Sequence, residues 1–432
     1  MPDLPLDTVE AERLTREHLT GKTPGAAVAM TSGGAAVFTA CHGFADLEWE
    51  TPVTPATVFT LASVTKPFTA LAILCLERDG VLDLDAPLAE HVPEFAAVAP
   101  GVRLHHLLTH TSGVPDFTDD DGFQKRCRLD QSDEELIAEF ASKPLEFAVG
   151  SQYGYSNTGY RLLEIIAARA TGRPFAEVLA EKVFSPAGMS DTRLLTNADI
   201  VARRARGYTA DNGVFANASH VNMAVLGGAG GIGATLEDLL RFDRALRTES
   251  IATIALQRRM FRPATLPHHS VEGYGLGWEI NTLRGRRTVF HTGGIYGFST
   301  LYARLPEEDI GVVVLANAES FSCANLARDL IALALDLRPP RHPTMCLPEP
   351  DLAARAGRYR DMSHHFDVTP TADGLVVSQF DRTFTMLPIS PTSYYAPEDP
   401  DMRLSFHDDN PAAAGTLHYP FWWCTGYRSA AE

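Results

Sequence analysis

The chain has 432 residues, of which 45% are hydrophobic and 21% are charged, a composition typical of a globular protein with more than one domain. Its formal net charge of −17 argues against a nucleic-acid-binding protein, because phosphates require basic patches. No stretch approaches the roughly 18 uninterrupted apolar residues of a membrane span. Residues 1–7 are acidic and lack the apolar core of a secretory signal, so we expect a cytoplasmic protein.

The first third of the chain predicts a helix followed by a β-hairpin and a second helix. The first helix covers 6–19 and packs on the outside of a sheet, whose first strands are 26–30 and 35–43. Ser32-Gly33-Gly34 between these strands is typical of a tight hairpin turn. The second helix covers 63–79 and presents apolar residues on one face.

The middle of the chain is mainly helical, and strands return near its end. Helices are predicted at 132–142, 158–171, 174–184, 235–247 and 323–335, and strands at 275–280, 288–291, 300–305 and 310–316. The glycine-rich segment 227–234 is expected to be a loop whose backbone can approach a ligand closely, because glycine has no side chain. Strands at both ends with helices between them predict an α/β (α+β) domain. It has one antiparallel sheet flanked by helices, plus a helical lobe.

A proline-rich linker and a second domain follow. Five prolines in residues 339–350 exclude a helix or a central strand there. The pattern then changes to short strands at 366–371, 375–380, 383–387, 403–407 and 421–427. We therefore predict a catalytic domain at 1–338, the linker at 339–350 and a small antiparallel β-barrel at 351–432. Trp422 and Trp423 are expected to fill the core of the barrel.

Ser63-Val64-Thr65-Lys66 is the first of three motifs that carry chemistry. A serine hydroxyl is a poor nucleophile until a base removes its proton. Residues three apart on a helix lie on one face, so Lys66 is predicted to reach Ser63. Lys66 would also lie near the positive end of the helix dipole, which lowers its pKa and makes the neutral amine accessible.

Tyr155-Ser156-Asn157 is the second motif. A phenol near Lys66 can share its proton, as base in acylation and as acid toward the leaving group. The alternative interpretation is a tyrosine that packs beside Asn157, with Asn157 as the N-cap of the following helix. Asn157 is also a candidate amide donor to the substrate.

His291-Thr292-Gly293-Gly294 is the third motif and ends a predicted strand. Small residues after the histidine would let an extended substrate pair with the strand edge. A backbone N–H of this segment and that of Ser63 would form an oxyanion hole. The alternative is a histidine at a strand end followed by an ordinary glycine turn.

Other polar clusters receive structural interpretations. His105, His106 and His110 match no metal-ligand spacing, and neither do the six scattered cysteines, so we expect no metal and no cofactor. The histidines are assigned to a turn at 107–113. Asp116, Asp119, Asp120 and Asp121 are interpreted as a solvated loop, with attraction of amine-bearing substrates as the alternative.

The three motifs in this order resemble the serine β-lactamase and penicillin-binding-protein superfamily over residues 8–336. The similar branch contains class C β-lactamases, D-alanyl-D-alanine carboxypeptidases, D-aminopeptidases, D-amino-acid amidases and esterases. Segments 107–113, 227–234 and 274–278 also resemble that branch. The C-terminal segment is similar to the lipocalin-like barrels that some D-aminopeptidase relatives carry.

The resemblance implies a role for each motif residue. Ser63 would be the nucleophile, Lys66 the base and Tyr155 the proton relay, while Asn157 would bind the substrate amide. His291, Thr292, Gly293 and Gly294 would form the substrate strand, with the N–H groups of Gly294 and Ser63 as the oxyanion hole. β-Lactamases of this branch typically carry Lys where this chain has His291, which favours the peptidase, amidase and esterase members.

The sequence therefore predicts a serine hydrolase that cleaves an amide or ester of a small molecule or short peptide through a Ser63 acyl-enzyme. A D-configured substrate is the leading expectation, as for a D-aminopeptidase, D-amino-acid amidase or D-alanyl-D-alanine carboxypeptidase. The alternatives are an esterase or acyltransferase on a specialised metabolite, then a β-lactamase, and last a non-catalytic binding protein. The sequence leaves the oligomeric state open.

Overall fold

A computed structural model describes residues 6–17, 19, 22–119, 122–266, 273–360, 364–380, 382–407 and 414–428. Its α-helices are α1 (Thr8–Glu17), α2 (Lys66–Arg78), α3 (Leu88–His91), α4 (Leu104–Leu108), α5 (Phe123–Arg126), α6 (Asp133–Phe140), α7 (Asn157–Thr171), α8 (Phe175–Leu179), α9 (Ser185–Ala187), α10 (Met223–Gly230), α11 (Leu236–Arg247), α12 (Ile254–Met260), α13 (Cys323–Ala334) and α14 (Glu349–Ala353). A 3-10 turn, Ala62–Thr65, leads into α2. None of the helices in these ranges has the length and apolarity to cross a bilayer.

The strands form one large sheet, one barrel and three small sheets. They are β1 (Ala26–Ser32), β2 (Ala35–His42), β3 (Phe44–Asp46), β4 (Thr51–Pro52), β5 (Val58–Thr60), β6 (Arg193–Leu194), β7 (Tyr208–Asp211), β8 (Val214–Asn217), β9 (Ile232–Thr235), β10 (Glu279–Leu283), β11 (Arg286–Ile295), β12 (Phe298–Leu305), β13 (Ile310–Ala316), β14 (Gly357–Arg360), β15 (His365–Pro370), β16 (Leu375–Gln379), β17 (Arg382–Ser390), β18 (Ser393–Ala396), β19 (Asp399–His407), β20 (Ala414–Tyr419) and β21 (Trp422–Arg428). The small sheets are β3-β4, β5-β9-β6 and β7-β8.

The large sheet joins the two ends of the first region, as the sequence predicts. Its order is β10-β11-β12-β13-β1-β2, and β1 pairs antiparallel with β13, so that Val28 lies opposite Val314. Alternate residues of β1 enter different cores. Ala27 and Ala29 pack with the cluster that includes α2 and α11, while Val28 packs with α1 and α13 on the other face. Helices therefore cover both faces, and α1 lies on the outside of the sheet as predicted.

The hairpin between β1 and β2 follows the predicted turn. Gly33 and Gly34 have φ values of 61° and 77°. Two consecutive residues with positive φ are the requirement of a type I′ turn, whose twist matches that of paired strands. The diglycine therefore sets the register of the first two strands.

Two predictions about glycine-rich segments were wrong. Segment 227–234 is not a loop but the end of α10, a kink at Gly227 and strand β9. A side chain at Gly227 would collide with the Arg161 guanidinium, so the glycines allow α10 to pack closely against α7. The predicted strand 275–280 begins only at Glu279. It is preceded by a turn in which Gly277 has φ of 81° and approaches the Lys66 carbonyl too closely for a side chain.

The second region is a closed antiparallel barrel of strands β14 to β21. It packs directly on the large sheet. Arg284, after β10, donates two hydrogen bonds of 3.0 and 2.7 Å to Asp401 of the barrel, and both side chains are nearly buried. The Phe421 ring lies 5.1 Å from the Phe290 ring of β11. Helix α14 begins at Glu349, inside the proposed linker. The boundaries of the linker at 339–350 and of the second domain at 351–432 stay a prediction.

Candidate active site

Ser63 lies in the 3-10 turn that runs into α2, and its neighbour Lys66 is the first residue of that helix. Ala62 has φ of 48°, an uncommon conformation for a residue with a Cβ that costs on the order of 1–3 kcal/mol. Strand β11 supports the turn from the side. A side chain at Gly293 would collide with the Leu61 carbonyl oxygen, which also accepts a 2.7 Å hydrogen bond from the Thr300 hydroxyl. The third motif therefore packs against the first.

Lys66 is completely buried and makes three polar contacts. Its Nζ lies 2.8 Å from the Asn157 Oδ1, 2.8 Å from the Ala229 carbonyl oxygen and 3.1 Å from the Ser63 Oγ. The first two oxygens can only accept, so they take two N–H bonds of the amine. Burial lowers the pKa of Lys66 to about 7. The neutral amine has two hydrogens and one lone pair. Since both hydrogens are donated to these two oxygens, the lone pair faces the hydroxyl of Ser63.

Tyr155 contacts the same hydroxyl from another direction. Its O–H donates to the Ser63 Oγ at 2.8 Å, and burial raises the pKa of Tyr155 well above its usual range. The ring packs against His110, at 4.3 Å between centroids. His110 also accepts a 3.0 Å hydrogen bond on Nδ1 from the Ser156 N–H, which fixes the segment before α7. A neutral tyrosine that donates to Ser63 leaves the serine proton directed at Lys66.

Asn157 is held between Lys66 and a buried carboxyl. Its Nδ2 donates to Asp116 at 2.9 Å and to the Thr118 hydroxyl at 3.2 Å. Both ends of the amide therefore have protein partners, and its predicted contact with the substrate stays a prediction. The N-cap of α7 is Ser156 and not Asn157, because the Ser156 Oγ accepts from the Gly159 N–H.

The interpretation of Asp116 as part of a solvated loop was wrong. Only 5% of the residue is exposed, and burial raises the pKa of its carboxyl. Hydrogen bonds from the Asn157 amide and the Thr118 N–H satisfy this buried carboxyl. Asp120 and Asp121 lie outside the described residues.

His291 is a buried neutral side chain at the cavity edge. Burial lowers its pKa to about 3. Its Nδ1 lies 2.7 Å from the Thr292 carbonyl oxygen, which can only accept, so this nitrogen carries the proton. Its Nε2 then accepts a 2.8 Å hydrogen bond from the Tyr274 hydroxyl. The ring is therefore fixed in one tautomer and contributes no positive charge.

The site opens into a cavity of about 330 Å³, a size suited to a small ligand. The first region lines it with Ser63, Tyr153, Tyr155, Glu279, His291, Thr292 and Gly294. Gly293 and Asn157 are not among the lining residues and lie behind them.

The barrel supplies the remaining wall, with His364, Trp422 and Trp423. The expectation that both tryptophans fill the barrel core was wrong for Trp423, and Trp422 packs against that core but also lines the cavity. The Trp423 ring lies 4.5 Å from the Tyr153 ring of the first region, and Trp422 is half-buried beside His364, at 5.4 Å. The two regions therefore build one cavity.

Four polar side chains of the site were not predicted to belong to it: Asp116, Glu279, Tyr274 and His110. Signals for three of them were present. Tyr274 begins the segment 274–278, Glu279 directly follows it, and His110 lies in segment 107–113. Asp116 was assigned to a solvated run with the neighbouring aspartates, and its functional alternative was attraction of amine-bearing substrates. His105 and His106 both lie in α4, with ring centroids 4.0 Å apart, and neither lines the cavity.

Comparisons with known proteins identify the family of the chain. The Beta-lactamase family model matches residues 11–336. Penicillin-binding protein 4* of Bacillus subtilis strain 168 is 32% identical over 312 residues, which are 68% of this chain and 68% of that protein. A D-aminopeptidase of Brucella ovis is 28% identical over 360 residues, 81% of this chain and 66% of that protein. The chain thus spans about two thirds of the length of these relatives.

A solved structure extends the similarity over the barrel. The octameric penicillin-binding protein homologue from Pyrococcus abyssi has a TM-score of 0.67 and 25% identity, and the match covers 98% of this chain and 99% of that one. The family model alone covers well over half of the chain. The chain belongs to the beta-lactamase family and is an enzyme, a serine hydrolase of that family.

Proposed function

We propose that this enzyme hydrolyses amide bonds of small D-configured substrates through an acyl-enzyme on Ser63. The activity is that of a D-aminopeptidase or D-amino-acid amidase, or resembles that of a D-alanyl-D-alanine carboxypeptidase. The observation that carries the proposal is the pair of contacts on the Ser63 Oγ, with Lys66 at 3.1 Å and Tyr155 at 2.8 Å. One hydroxyl thereby has both a base and an acid within reach.

Lys66 acts as the base in acylation. Its neutral amine accepts the Ser63 proton as the Oγ attacks the substrate carbonyl. Asn157 and Ala229 bind the ammonium that results, since both present acceptor oxygens at 2.8 Å. This stabilises the transition state, because the positive charge develops where acceptors are already oriented.

The backbone N–H groups of Ser63 and Gly294 form the oxyanion hole. Ser63 and Gly294 line the same cavity, and Gly293 allows the strand to approach the serine turn. Two fixed N–H donors would stabilise the negative oxygen of the tetrahedral intermediate. Thr292 and Gly294 then present the strand edge to the substrate.

Tyr155 acts as the acid toward the leaving amine. An amide nitrogen departs only after it has gained a proton, and the Tyr155 O–H points at the reacting oxygen. Lys66 then returns its proton to the phenolate, since the Lys66 Nζ and the Tyr155 hydroxyl both lie beside the Ser63 Oγ, at 3.1 and 2.8 Å. Water then attacks the acyl-enzyme by the same steps in reverse, which restores both groups.

Two observations favour a peptidase or amidase over a β-lactamase. The third motif carries a neutral histidine where β-lactamases of this branch typically carry a lysine. The D-aminopeptidase of Brucella ovis is among the relatives, at 28% identity.

The test is release of p-nitroaniline from the D- and L-alanine p-nitroanilides, beside hydrolysis of p-nitrophenyl butyrate, with the Ser63→Ala variant as control. We expect Ser63-dependent cleavage of the D-anilide in preference to the L-anilide. Preference for the L-anilide would exclude the D-specific assignment.

An esterase or acyltransferase is the second candidate. The observation in its favour is the aromatic wall of Trp422, Trp423 and Tyr153, which would also hold an apolar acyl chain. Ser63-dependent cleavage of the butyrate ester alone would support it. Added alcohols or amines that divert the acyl group from water would identify an acyltransferase.

A further inference from the structure

Glu279 is a buried carboxyl that faces the catalytic cavity. It begins β10, directly after the turn that contacts Lys66, and lines the same cavity as Ser63 and His291. Only 7% of the residue is exposed. The mechanism proposed above does not use it.

The protein gives this carboxyl little compensation. Its Oε1 accepts long hydrogen bonds of 3.4 Å from the Thr292 N–H and 3.3 Å from the Thr292 hydroxyl. The His291 Nδ1 lies 3.6 Å away, but this histidine is neutral. Lys66 lowers the pKa of this carboxyl electrostatically, an effect smaller than that of burial, without contacting it. Among the residues that the structure describes, no lysine or arginine forms an ion pair with Glu279, and no hydrogen bond reaches its Oε2.

A buried carboxyl normally has a cationic partner or several good donors, because its ionised form is costly in an apolar environment. Burial accordingly raises the pKa of Glu279 to about 8. A purely structural role would be to hold Thr292. The long contacts make that role weak, and an uncharged side chain would serve it as well. The missing partner is therefore expected from the cavity itself.

We propose that Glu279 binds a primary ammonium group of the substrate, so that the preferred acyl donor is an aminoacyl group with a free amine. The aromatic faces of Tyr153 and Trp423 in the same wall favour a cation over an anion. This inference rests on the proposed amidase function. It separates an aminopeptidase or amidase from a carboxypeptidase that takes N-acylated peptides.

The experiment compares D-alanine p-nitroanilide with its N-acetyl derivative in the wild type and in Glu279→Gln, which keeps the side-chain shape but cannot ionise to pair with an ammonium group. The wild type should prefer the free amine. The substitution should lower kcat/KM for the free amine about 30-fold or more, as expected when one partner of a buried charge pair is lost. The N-acetyl substrate and p-nitrophenyl butyrate should change less than about threefold.

Glu308→Gln is the matched control, since Glu308 is similarly buried, pairs with Arg286 and lies outside the cavity. It should leave both substrates unchanged. An equal loss on both substrates in Glu279→Gln would overturn the proposal and indicate that Glu279 only positions Thr292. A wild-type preference for the N-acetyl substrate would overturn it as well.

A binding measurement separates this inference from the proposed function. Calorimetric titration of the Ser63→Ala protein with D-alaninamide and N-acetyl-D-alaninamide needs no turnover. Tighter binding of the free amine that disappears in the Ser63→Ala, Glu279→Gln double variant supports the ammonium site even where no anilide is cleaved. Equal binding of both amides would overturn it, while cleavage of either anilide would still support the hydrolase.

Discussion

The floor of the cavity and its outer wall come from different regions of the chain and use different chemistry. The floor contains Ser63 and Tyr155, which are joined by a hydrogen bond of 2.8 Å, and the buried Lys66 lies behind it, 3.1 Å from the Ser63 Oγ. The wall consists of the barrel side chains Trp422 and Trp423 with their neighbour His364, which offer mainly aromatic surface. The proposed mechanism assigns bond cleavage to Ser63, Lys66 and Tyr155 and leaves the wall to contact the rest of the substrate.

The wall also differs from the floor in exposure. Phe380 is 62% exposed beside Trp422, at 5.7 Å between ring centroids, so the aromatic surface continues from the cavity to solvent. The Arg284–Asp401 pair and the Phe290–Phe421 contact hold the barrel in place. Substitutions of Ser63, Lys66 or Tyr155 should therefore lower activity on every substrate, while substitutions in the wall should change the ranking of substrates.

The largest effect is expected for Ser63→Ala. Removal of the nucleophile should lower kcat by about 10⁴-fold or more on amides and esters alike, because every substrate needs the acyl-enzyme. Steady-state rates on the anilides and the butyrate ester measure it. Activity within about tenfold of the wild type would exclude Ser63 as the nucleophile.

Lys66→Ala should lower the rate of acylation by about 10²- to 10⁴-fold, the usual contribution of a general base. A single-turnover experiment with the butyrate ester measures this step alone. Since the change also leaves the Asn157 Oδ1 and the Ala229 carbonyl without their donor, the melting temperature should be recorded in parallel. Lys125→Ala, at an exposed lysine, is the control, and an unchanged acylation rate in Lys66→Ala would contradict the base assignment.

The pH profile should show the same base. The pKa of Lys66 in the folded enzyme is lowered to about 7, so the reactive neutral amine predominates above pH 7 and is lost as the pH falls. We expect kcat/KM for the butyrate ester to rise about 50-fold from pH 5 to pH 7 and to level off above about pH 8, at roughly twice its value at pH 7. The pKa of Tyr155 is raised well above its usual range, so the acid stays protonated and adds no falling limb near neutral pH. A flat profile from pH 5 to pH 8 would exclude this assignment.

The contact between Ser63 and Lys66 could be predicted from the sequence because its geometry is local, whereas Tyr155 lies 92 residues after Ser63 and was assigned from its motif. Ser63 and Lys66 are one helical turn apart, so their contact follows from the spacing alone. The large sheet was predictable for a similar reason, since β13 is a continuous apolar run with clear ends. Glu279 and Asp116 were missed because burial of a carboxyl depends on partners that are distant in the sequence.

The wall could not be predicted from the sequence. Trp422 and Trp423 have the pattern of a strand that packs in its own barrel, and nothing local shows that the Trp423 ring reaches Tyr153 of another region. The glycines of segment 227–234 were misread for a related reason. Their pattern indicates a loop, but close packing of α10 against α7 determines their structure.

The smallest effect is expected for Trp422→Ala, which tests whether the wall selects substrates. The half-buried ring should contact an apolar side chain of the substrate, and its loss should remove about 1.5 kcal/mol of that contact. We expect the preference for D-phenylalanine p-nitroanilide over D-alanine p-nitroanilide to fall about tenfold, with little change for the alanine substrate.

Tyr395→Ala is the matched control, because this barrel aromatic packs against His342 at 4.7 Å and does not line the cavity. It reports any general loss of barrel stability and should leave the substrate ratio unchanged. If Trp422→Ala lowers the rates on both anilides equally, the barrel acts through the position of Tyr153 and not through contact with the substrate. A change in the ratio confined to Trp422→Ala would make the barrel part of the specificity site and not an accessory domain.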